Sequence, residues 1–170
     1  MIRNDAMRKD NPTLGITDSK STKNSSFSEE KGYDAGKKVS GVKLHIVVDI
    51  LGLPLAILVT TADVTDRNGA IELLQKNKDA LMCLETLMVD GGYTGEKFSN
   101  AVSDIINANV KVSKRHEQHK FELEPIRWIV ERTFGWLDNS RRLSKNYERK
   151  IANHQKMATI AFIAILLRRF

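Results

Sequence analysis

Residues 42–48 limit the folds open to this chain more than any other part of the sequence. Every second residue from position 42 to position 48 is apolar, and successive side chains of a strand point to opposite faces, so this segment predicts a strand with one buried face. A turn at residues 51–54 and a second apolar stretch at residues 55–60 follow, which predicts an antiparallel hairpin. His45 lies on the other face of the first strand, and we expect it to face solvent.

The rest of the chain alternates short apolar strands with amphipathic helices. Residues 20–41 are rich in Ser, Lys and Gly and predict a long, mobile connection. Further strands are predicted at residues 14–16, 84–89 and 110–112, and helices at residues 68–76, 96–107, from 125 onward, and 151–167. This order is typical of the α/β class, with a mixed sheet flanked by helices. Residues 1–13 predict a loose N-terminal lead-in, and residues 14–170 a single domain.

The size and composition of the chain exclude several classes of protein. With 170 residues the chain is long enough for one sizeable hydrophobic core and too short for two. Its single cysteine, Cys83, excludes an internal disulfide framework and fits a reducing compartment. The longest apolar run, residues 157–167, is shorter than the roughly 20 residues that span a bilayer. We therefore expect a cytoplasmic protein without membrane contact.

Positive charge is concentrated in the C-terminal third of the chain. Residues 127–170 contain ten basic and three acidic residues, so the remainder is nearly neutral within a net charge of +6. Such a segment is expected of a surface that meets a polyanion, and equally of a solvated helix face. Within this segment Arg141, Arg142 and Lys145 are the candidates for phosphate contacts, because they directly follow a predicted long helix.

Three acidic residues lie on separate predicted elements. Asp18 and Asp90 each follow a short apolar strand, and Glu131 lies within the helix that begins near residue 125. Carboxylates presented by a rigid sheet can converge on hard cations such as Mg²⁺ or Mn²⁺, which prefer oxygen ligands. An acid after a strand is also common as a turn or helix cap, and the spacing alone leaves both roles open. Asp49 is expected to fix a loop.

Several stretches of the sequence resemble the catalytic domain of the DDE transposases of bacterial insertion sequences. The most specific is the closing run, RWIVERTFGWL at residues 127–137 followed by RRLSKNYE at residues 141–148. Its pattern resembles the group of transposases named after insertion sequences four and five. The other matching stretches are DSK at residues 18–20, GYDAGKKVSGVKLHIVVD at residues 32–49, ADVTDRNGA at residues 62–70 and VDGGYTG at residues 89–95.

This resemblance implies both a fold and a chemistry for residues 14–170. The fold would be RNase H-like, and Asp18, Asp90 and Glu131 would form a catalytic triad that binds two Mg²⁺ ions, with Mn²⁺ as a substitute. The reaction would be strand cleavage at the ends of the element and attack of the freed 3′-hydroxyl on target DNA. The implied partners are double-stranded DNA and further copies of the chain on that DNA, at the bacterial nucleoid. The residues expected to contact DNA are Arg127, Arg132, Arg141, Arg142 and Lys145.

Departures from the family pattern leave alternatives open. Glu124 occupies the position of the family's tyrosine, and Asp138 and Asn139 stand where a later basic residue is usual. Only seventeen residues precede Asp18, too few for a helix-turn-helix unit, so we expect either a partner encoded in an upstream frame or a truncated chain. The alternative functions are a catalytically inactive DNA-binding remnant or regulator, and an RNase H-like nuclease that does not join strands.

Overall fold

The structure, a computed structural model, describes residues 6–113 and 125–168, and only the backbone of residues 125–127. Glu124 lies outside these residues. Within them the chain forms strands β1 Leu14–Lys23, β2 Gly32–Asp34, β3 Val39–Val48, β4 Pro54–Thr61, β5 Thr86–Val89 and β6 Asn109–Val112. The helices are α1 Asp66–Lys76, α2 Lys78–Leu81, α3 Glu96–Ile106, α4 Pro125–Asp138 and α5 Ile151–Leu167, and a 3-10 turn spans Gly91–Tyr93.

The strands form one mixed sheet with β1 at its centre. β1 pairs antiparallel with β3, from Ile16 opposite Val48 to Lys23 opposite Gly41, and parallel with β5. β4 pairs antiparallel with β3, and β6 pairs parallel with β5, so the order of the main strands is β4-β3-β1-β5-β6. The short β2 pairs with the beginning of β3. The predicted hairpin and the predicted mixed α/β sheet are confirmed.

Helices cover both faces of the sheet, and the alternation of side chains along the strands divides the core in two. Ile16 and Met88 belong to a cluster with residues of α4 and α5, such as Phe134. Leu87, one residue before Met88, belongs to a second cluster on the opposite face with residues of α1 and α3, such as Phe98. β1 and β5 are therefore covered on both faces. The prediction that Asp18 follows a strand is wrong, because β1 continues to Lys23 and Asp18 lies in its middle, whereas Asp90 directly follows β5 as predicted.

The predicted mobile connection over residues 20–41 is wrong for nearly half of its length. β1 continues to Lys23, β2 lies inside this segment, and β3 begins at Val39. Polar residues can form these strands because the backbone groups pair and the side chains form hydrogen bonds with one another. An example is the hydrogen bond from the Ser21 hydroxyl to Asp34 Oδ2 at 2.6 Å. A strand stabilised in this way has no apolar alternation by which the sequence could predict it.

The expectation that His45 faces solvent is also wrong. Its side chain is completely buried, because α1 packs on the face of β3 that the hairpin alone would leave open. The covering helix is a separate element, and its first residue, Asp66, lies 21 residues after His45 in the chain. The alternation within β3 therefore identifies one buried face correctly and misses the other.

The last helix, α5, has the predicted bounds. Ala158 and Phe162 are buried in the cluster shared with α4, whereas Ile160 and Ile163 are exposed. Among the helices that the structure describes, α5 included, none is long and apolar enough to cross a membrane.

Candidate active site

Asp18 of β1 lies near Asp90, the residue that directly follows the neighbouring parallel strand β5. β1 pairs with β5 so that Ile16 is opposite Met88, and two further residues on each strand bring Asp18 beside Asp90, which is still extended in its backbone. Parallel strands lie about 4.8 Å apart, and side chains two residues apart share a face. Asp18 therefore points to the face that α4 covers, as does Ile46, its partner in β3. The structure brings these two predicted residues together.

The ionised form of Asp18 is disfavoured at this place. The pKa of Asp18 is raised to about 6, chiefly because the carboxyl group is buried, and further because the charge of Asp90 lies nearby. The Ser19 backbone N–H donates to Asp18 Oδ1 at 2.7 Å, and this hydrogen bond and the charge of Lys37 lower the pKa in part. Because a cation between two carboxylates favours the ionised form of both, the electrostatics of this pair favour cation binding.

Asp90 is the first residue of a short loop, which we define as residues 90–94 and call the Asp90 loop. Asp90 Oδ1 accepts a hydrogen bond from the backbone N–H of Gly92 at 2.8 Å and so caps the 3-10 turn. The side chain is exposed and accessible to ligands from solvent. Capping engages one carboxylate oxygen, so the capping role and a ligand role are compatible in Asp90.

Glu131 lies on α4, which an ion pair between Lys20 and Asp138 joins to β1. Lys20 follows Asp18 by two residues, on the same face of β1, and Asp138 follows Glu131 by about two helical turns, on the same side of α4. The ion pair therefore connects the strand face of Asp18 with the helix side of Glu131. Glu131 is exposed, and the described part of the chain contains no three His, Cys, Asp or Glu side chains close enough to hold one metal ion.

Three of the basic residues that were predicted to contact DNA lie in the turn after α4. Arg141, Arg142 and Lys145 are all exposed. Arg142 forms an ion pair with Glu148, and the ammonium group of Lys145 lies 5.9 Å from the centre of the Tyr147 ring. The side chain of a fourth, Arg127, is outside the described residues. Contact between these residues and DNA stays a prediction.

Arg132, the fifth predicted DNA residue, has a different environment. Its guanidinium group lies between Trp128 and Trp136, 4.4 and 4.8 Å from the centres of the two rings. Its Nη2 donates a hydrogen bond to the carbonyl oxygen of Leu51 at 3.0 Å. Arg132 therefore connects α4 to the turn between β3 and β4, a role that the sequence does not indicate. Contact between Arg132 and DNA stays a prediction.

A buried ion-pair cluster lies on the other face of the sheet. Lys43 is 4% exposed, and its Nζ lies 3.2 Å from Asp34 Oδ2 and 2.8 Å from Asp66 Oδ1. Burial lowers the pKa of Lys43, but the two carboxylates outweigh this effect and raise it above its usual value. The sequence carried no signal for this cluster, because alternation along the predicted strand puts Lys43 on the same face as His45, which was expected to face solvent.

The chain belongs to the transposase DDE domain family, because the model of that family matches residues 9–167. The match includes every strand and helix given above, together with Asp18, Asp90 and Glu131. The predicted membership among DDE transposases is confirmed. Assignment to the group named after insertion sequences four and five stays a prediction.

One relative of the chain is named as a transposase. The chain is 33% identical over 121 residues to a protein named as transposase for insertion sequence element IS402 of Burkholderia cepacia. The aligned part covers 67% of this chain and 57% of that protein. The chain thus spans little more than half the length of the relative.

Two solved structures share the fold at low sequence identity. One is a chain of the simian T-cell lymphotropic virus intasome in complex with the PP2A regulatory subunit B56 gamma, with a TM-score of 0.59, 18% identity, and coverage of 93% of this chain and 50% of that one. The other is the catalytic core domain of BIV integrase, with a TM-score of 0.55, 10% identity, and coverage of 89% and 82%. The predicted RNase H-like fold is confirmed.

Proposed function

We propose that this chain is the catalytic domain of an insertion-sequence transposase, which cleaves DNA at the ends of the element and joins the freed 3′-hydroxyl to target DNA. The observation that carries the proposal is the proximity of Asp18, on β1, and Asp90, directly after the adjacent parallel strand β5, in a DDE family domain. The name of the relative from Burkholderia cepacia supports an insertion sequence as the substrate. Both reactions would be in-line phosphoryl transfers at one site.

Asp18 and Asp90 would hold the divalent cations, Mg²⁺ or its substitute Mn²⁺, and Glu131 would complete the ligand set. The residues fit such ions because all three offer carboxylate oxygens, which Mg²⁺ prefers. Burial, and further the charge of Asp90, raise the pKa of Asp18, and a cation beside the pair would offset both effects. When bound, two such ions activate the attacking oxygen and stabilise the leaving oxygen of a displacement at phosphorus.

The chain itself would orient these carboxylates and bind the DNA backbone. Backbone N–H groups of Ser19 and Gly92 each hold one oxygen of the neighbouring aspartate, which limits rotation of both carboxylates. Exposed Arg141 and Lys145 would neutralise phosphates, and each neutralised phosphate adds a salt-dependent increment of affinity. Contacts of this kind position DNA and do not read its sequence.

The test compares Asp90→Asn with Asp104→Asn, an exposed aspartate on the solvent side of α3. Cleavage and joining of an oligonucleotide duplex containing an element end are measured with Mn²⁺ and Mg²⁺. We expect Asp90→Asn to lose at least about a hundredfold in both activities, since even supporting residues of metal sites cost 10- to 100-fold. DNA binding in a gel shift should persist, and Asp104→Asn should match the wild type.

Two outcomes would contradict the proposal. Wild-type protein that binds the duplex but does not cut it with either ion would be an inactive DNA-binding regulator. Cutting that yields no joined product, even from a substrate with a free 3′-hydroxyl, would identify an RNase H-like nuclease.

A further inference from the structure

The first turn of α1 lies close to the Asp90 loop, although the proposed chemistry gives it no role. It belongs to the stretch ADVTDRNGA at residues 62–70. We propose that Arg67, in this turn, is a positioning residue that holds the Asp90 loop and thereby sets the place of the Asp90 carboxylate. The inference rests on the proposed function only in treating Asp90 as a catalytic residue.

Gly92 connects Arg67 directly with Asp90. Arg67 Nε donates a hydrogen bond to the carbonyl oxygen of Gly92 at 2.8 Å, and the backbone N–H of the same Gly92 donates to Asp90 Oδ1 at 2.8 Å. A hydrogen bond from a charged guanidinium is stronger than one between neutral groups, and the planar group fixes its direction. Displacement of Gly92 would therefore move the N–H that orients Asp90.

Arg67 can hold the loop because the beginning of α1 is itself fixed to the sheet. The Thr65 hydroxyl accepts a hydrogen bond from the backbone N–H of Asn68 at 3.3 Å and caps the helix. The next residue, Asp66, forms the 2.8 Å ion pair with buried Lys43 of β3. β3 pairs directly with β1, the strand of Asp18. The two aspartates are thus connected by a continuous path of contacts through the first turn of α1.

A competing role for Arg67 is contact with a DNA phosphate. Arg67 is exposed and lines a cleft of about 430 Å³ that also contains Lys97 and Thr94. A phosphate contact would act through charge, whereas positioning acts through the hydrogen bond to Gly92. The two roles predict different results in measurements that do not depend on catalysis.

The experiment compares Arg67→Met with Lys76→Met, which removes one positive charge from the exposed far end of the same helix. Amide hydrogen exchange is followed by mass spectrometry in peptides that cover residues 89–95. In Arg67→Met we expect exchange at Gly92 and Tyr93 to be about tenfold faster, as loss of one charge-assisted hydrogen bond allows local opening. Exchange in β1 and β3 should be unchanged, and Lys76→Met should match the wild type throughout.

Steady-state cleavage then separates positioning from charge. Positioning predicts that Arg67→Met lowers kcat with little change in KM and an unchanged salt dependence of DNA binding. A phosphate contact predicts unchanged exchange in residues 89–95, a raised KM, and a salt slope reduced by about one. That second pattern would overturn the inference. If the wild type does not cleave DNA, the proposed function fails, and the exchange rates still decide whether Arg67 holds the Asp90 loop.

Discussion

The imidazole ring of His45 lies directly against the backbone of Gly69, where α1 crosses β3. A Cβ at position 69 would lie 2.1 Å from Cε1 of the ring, so a residue without a side chain is needed for this approach. His45 Nε2 is 3.0 Å from the hydroxyl oxygen of Thr60. Since that hydroxyl donates to the carbonyl oxygen of Thr61, it can accept the Nε2 proton of a neutral ring.

Gly69→Ala is expected to destabilise the protein by about 2 kcal/mol, because the added methyl group forces the ring or the helix to move in a packed core. The direction is opposite to the usual effect of this substitution, since alanine is favoured over glycine inside helices by about 1 kcal/mol. The measurement is the free energy of unfolding in urea at pH 7.

Gly135→Ala provides the matched control for this substitution. Gly135 lies within α4, and a Cβ there would have no heavy atom within 4 Å. This variant should be more stable than the wild type by about 0.5–1 kcal/mol. Stabilisation by alanine at both positions would contradict a close contact between Gly69 and His45.

The stability of the fold should depend on pH through His45. The pKa of His45 is lowered to about 4, chiefly by burial, and Nδ1, which would take up the second proton, lacks a hydrogen-bond partner in the described part of the chain. As the pH falls below about 6.5, the unfolded chain binds this proton first, so stability falls by up to about 3 kcal/mol between pH 6.5 and pH 4. Above pH 6.5 this contribution is complete and constant.

The variant His45→Gln isolates this effect from other titrating groups. Its free energy of unfolding should vary less between pH 6.5 and pH 4.5 than that of the wild type. His154, whose pKa is also lowered by burial, contributes in the same direction to both proteins. Identical slopes in the two proteins would show that His45 is not the cause.

The elements that the sequence predicted well are those with strong apolar periodicity. The hairpin of β3 and β4 and the bounds of α5 agree with the pattern, because burial on a consistent face selects the residues. The strands within residues 20–41 could not be predicted, since Ser21 and its neighbours pair with polar partners. The burial of His45 depends on Gly69, and the sequence of β3 contains no information about that contact.

For the candidate site, residue types were easier to predict than spatial relations. Asp18 and Asp90 were both predicted as acids at strand ends, which is correct for Asp90 and wrong for Asp18, inside β1. Their proximity also requires that β1 and β5 be neighbours, and apolar periodicity does not indicate that order. The contact of Arg132 with Leu51 joins residues 81 positions apart. Spacing along a helix indicates which residues share a face. It does not indicate which loop elsewhere in the fold that face will contact.

Lys43→Met is expected to destabilise the protein by about 3 kcal/mol at pH 7, because it leaves Asp34 and Asp66 close together without their cation. Burial raises the pKa of Asp34, but hydrogen bonds from Ser21, the Lys37 backbone and Lys43 outweigh it and lower the pKa to about 2. Without Lys43 these acids bind protons more readily, so the loss should be smaller at pH 4 than at pH 7. A loss of equal size at both pH values, measured by urea unfolding, would indicate a packing defect.

The turn between β3 and β4 forms the contact surface for α4. Asp49 Oδ1 accepts hydrogen bonds from the backbone N–H groups of Leu51 and Leu53 at 2.9 and 2.8 Å, which confirms its predicted role of fixing a loop. Gly52 has a positive φ of 79°, and a Cβ there would lie 2.9 Å from Thr133 Oγ1. The turn and the helix thus fit closely just beside Glu131.

Thr133→Val tests how far this contact holds α4. The Thr133 hydroxyl donates to the carbonyl oxygens of Gly52 at 3.0 Å and of Ile129 at 3.1 Å, and valine keeps its shape while removing the donor. We expect a loss of about 1–2 kcal/mol in unfolding free energy, since a buried acceptor loses its partner. Thr159→Val is the control, because Thr159, at an exposed position of α5, makes the same bond to the carbonyl four residues earlier and should change stability by less than about 0.5 kcal/mol. Equal losses in the two variants would show that the hydrogen bond to Gly52 contributes nothing to the position of the helix that carries Glu131.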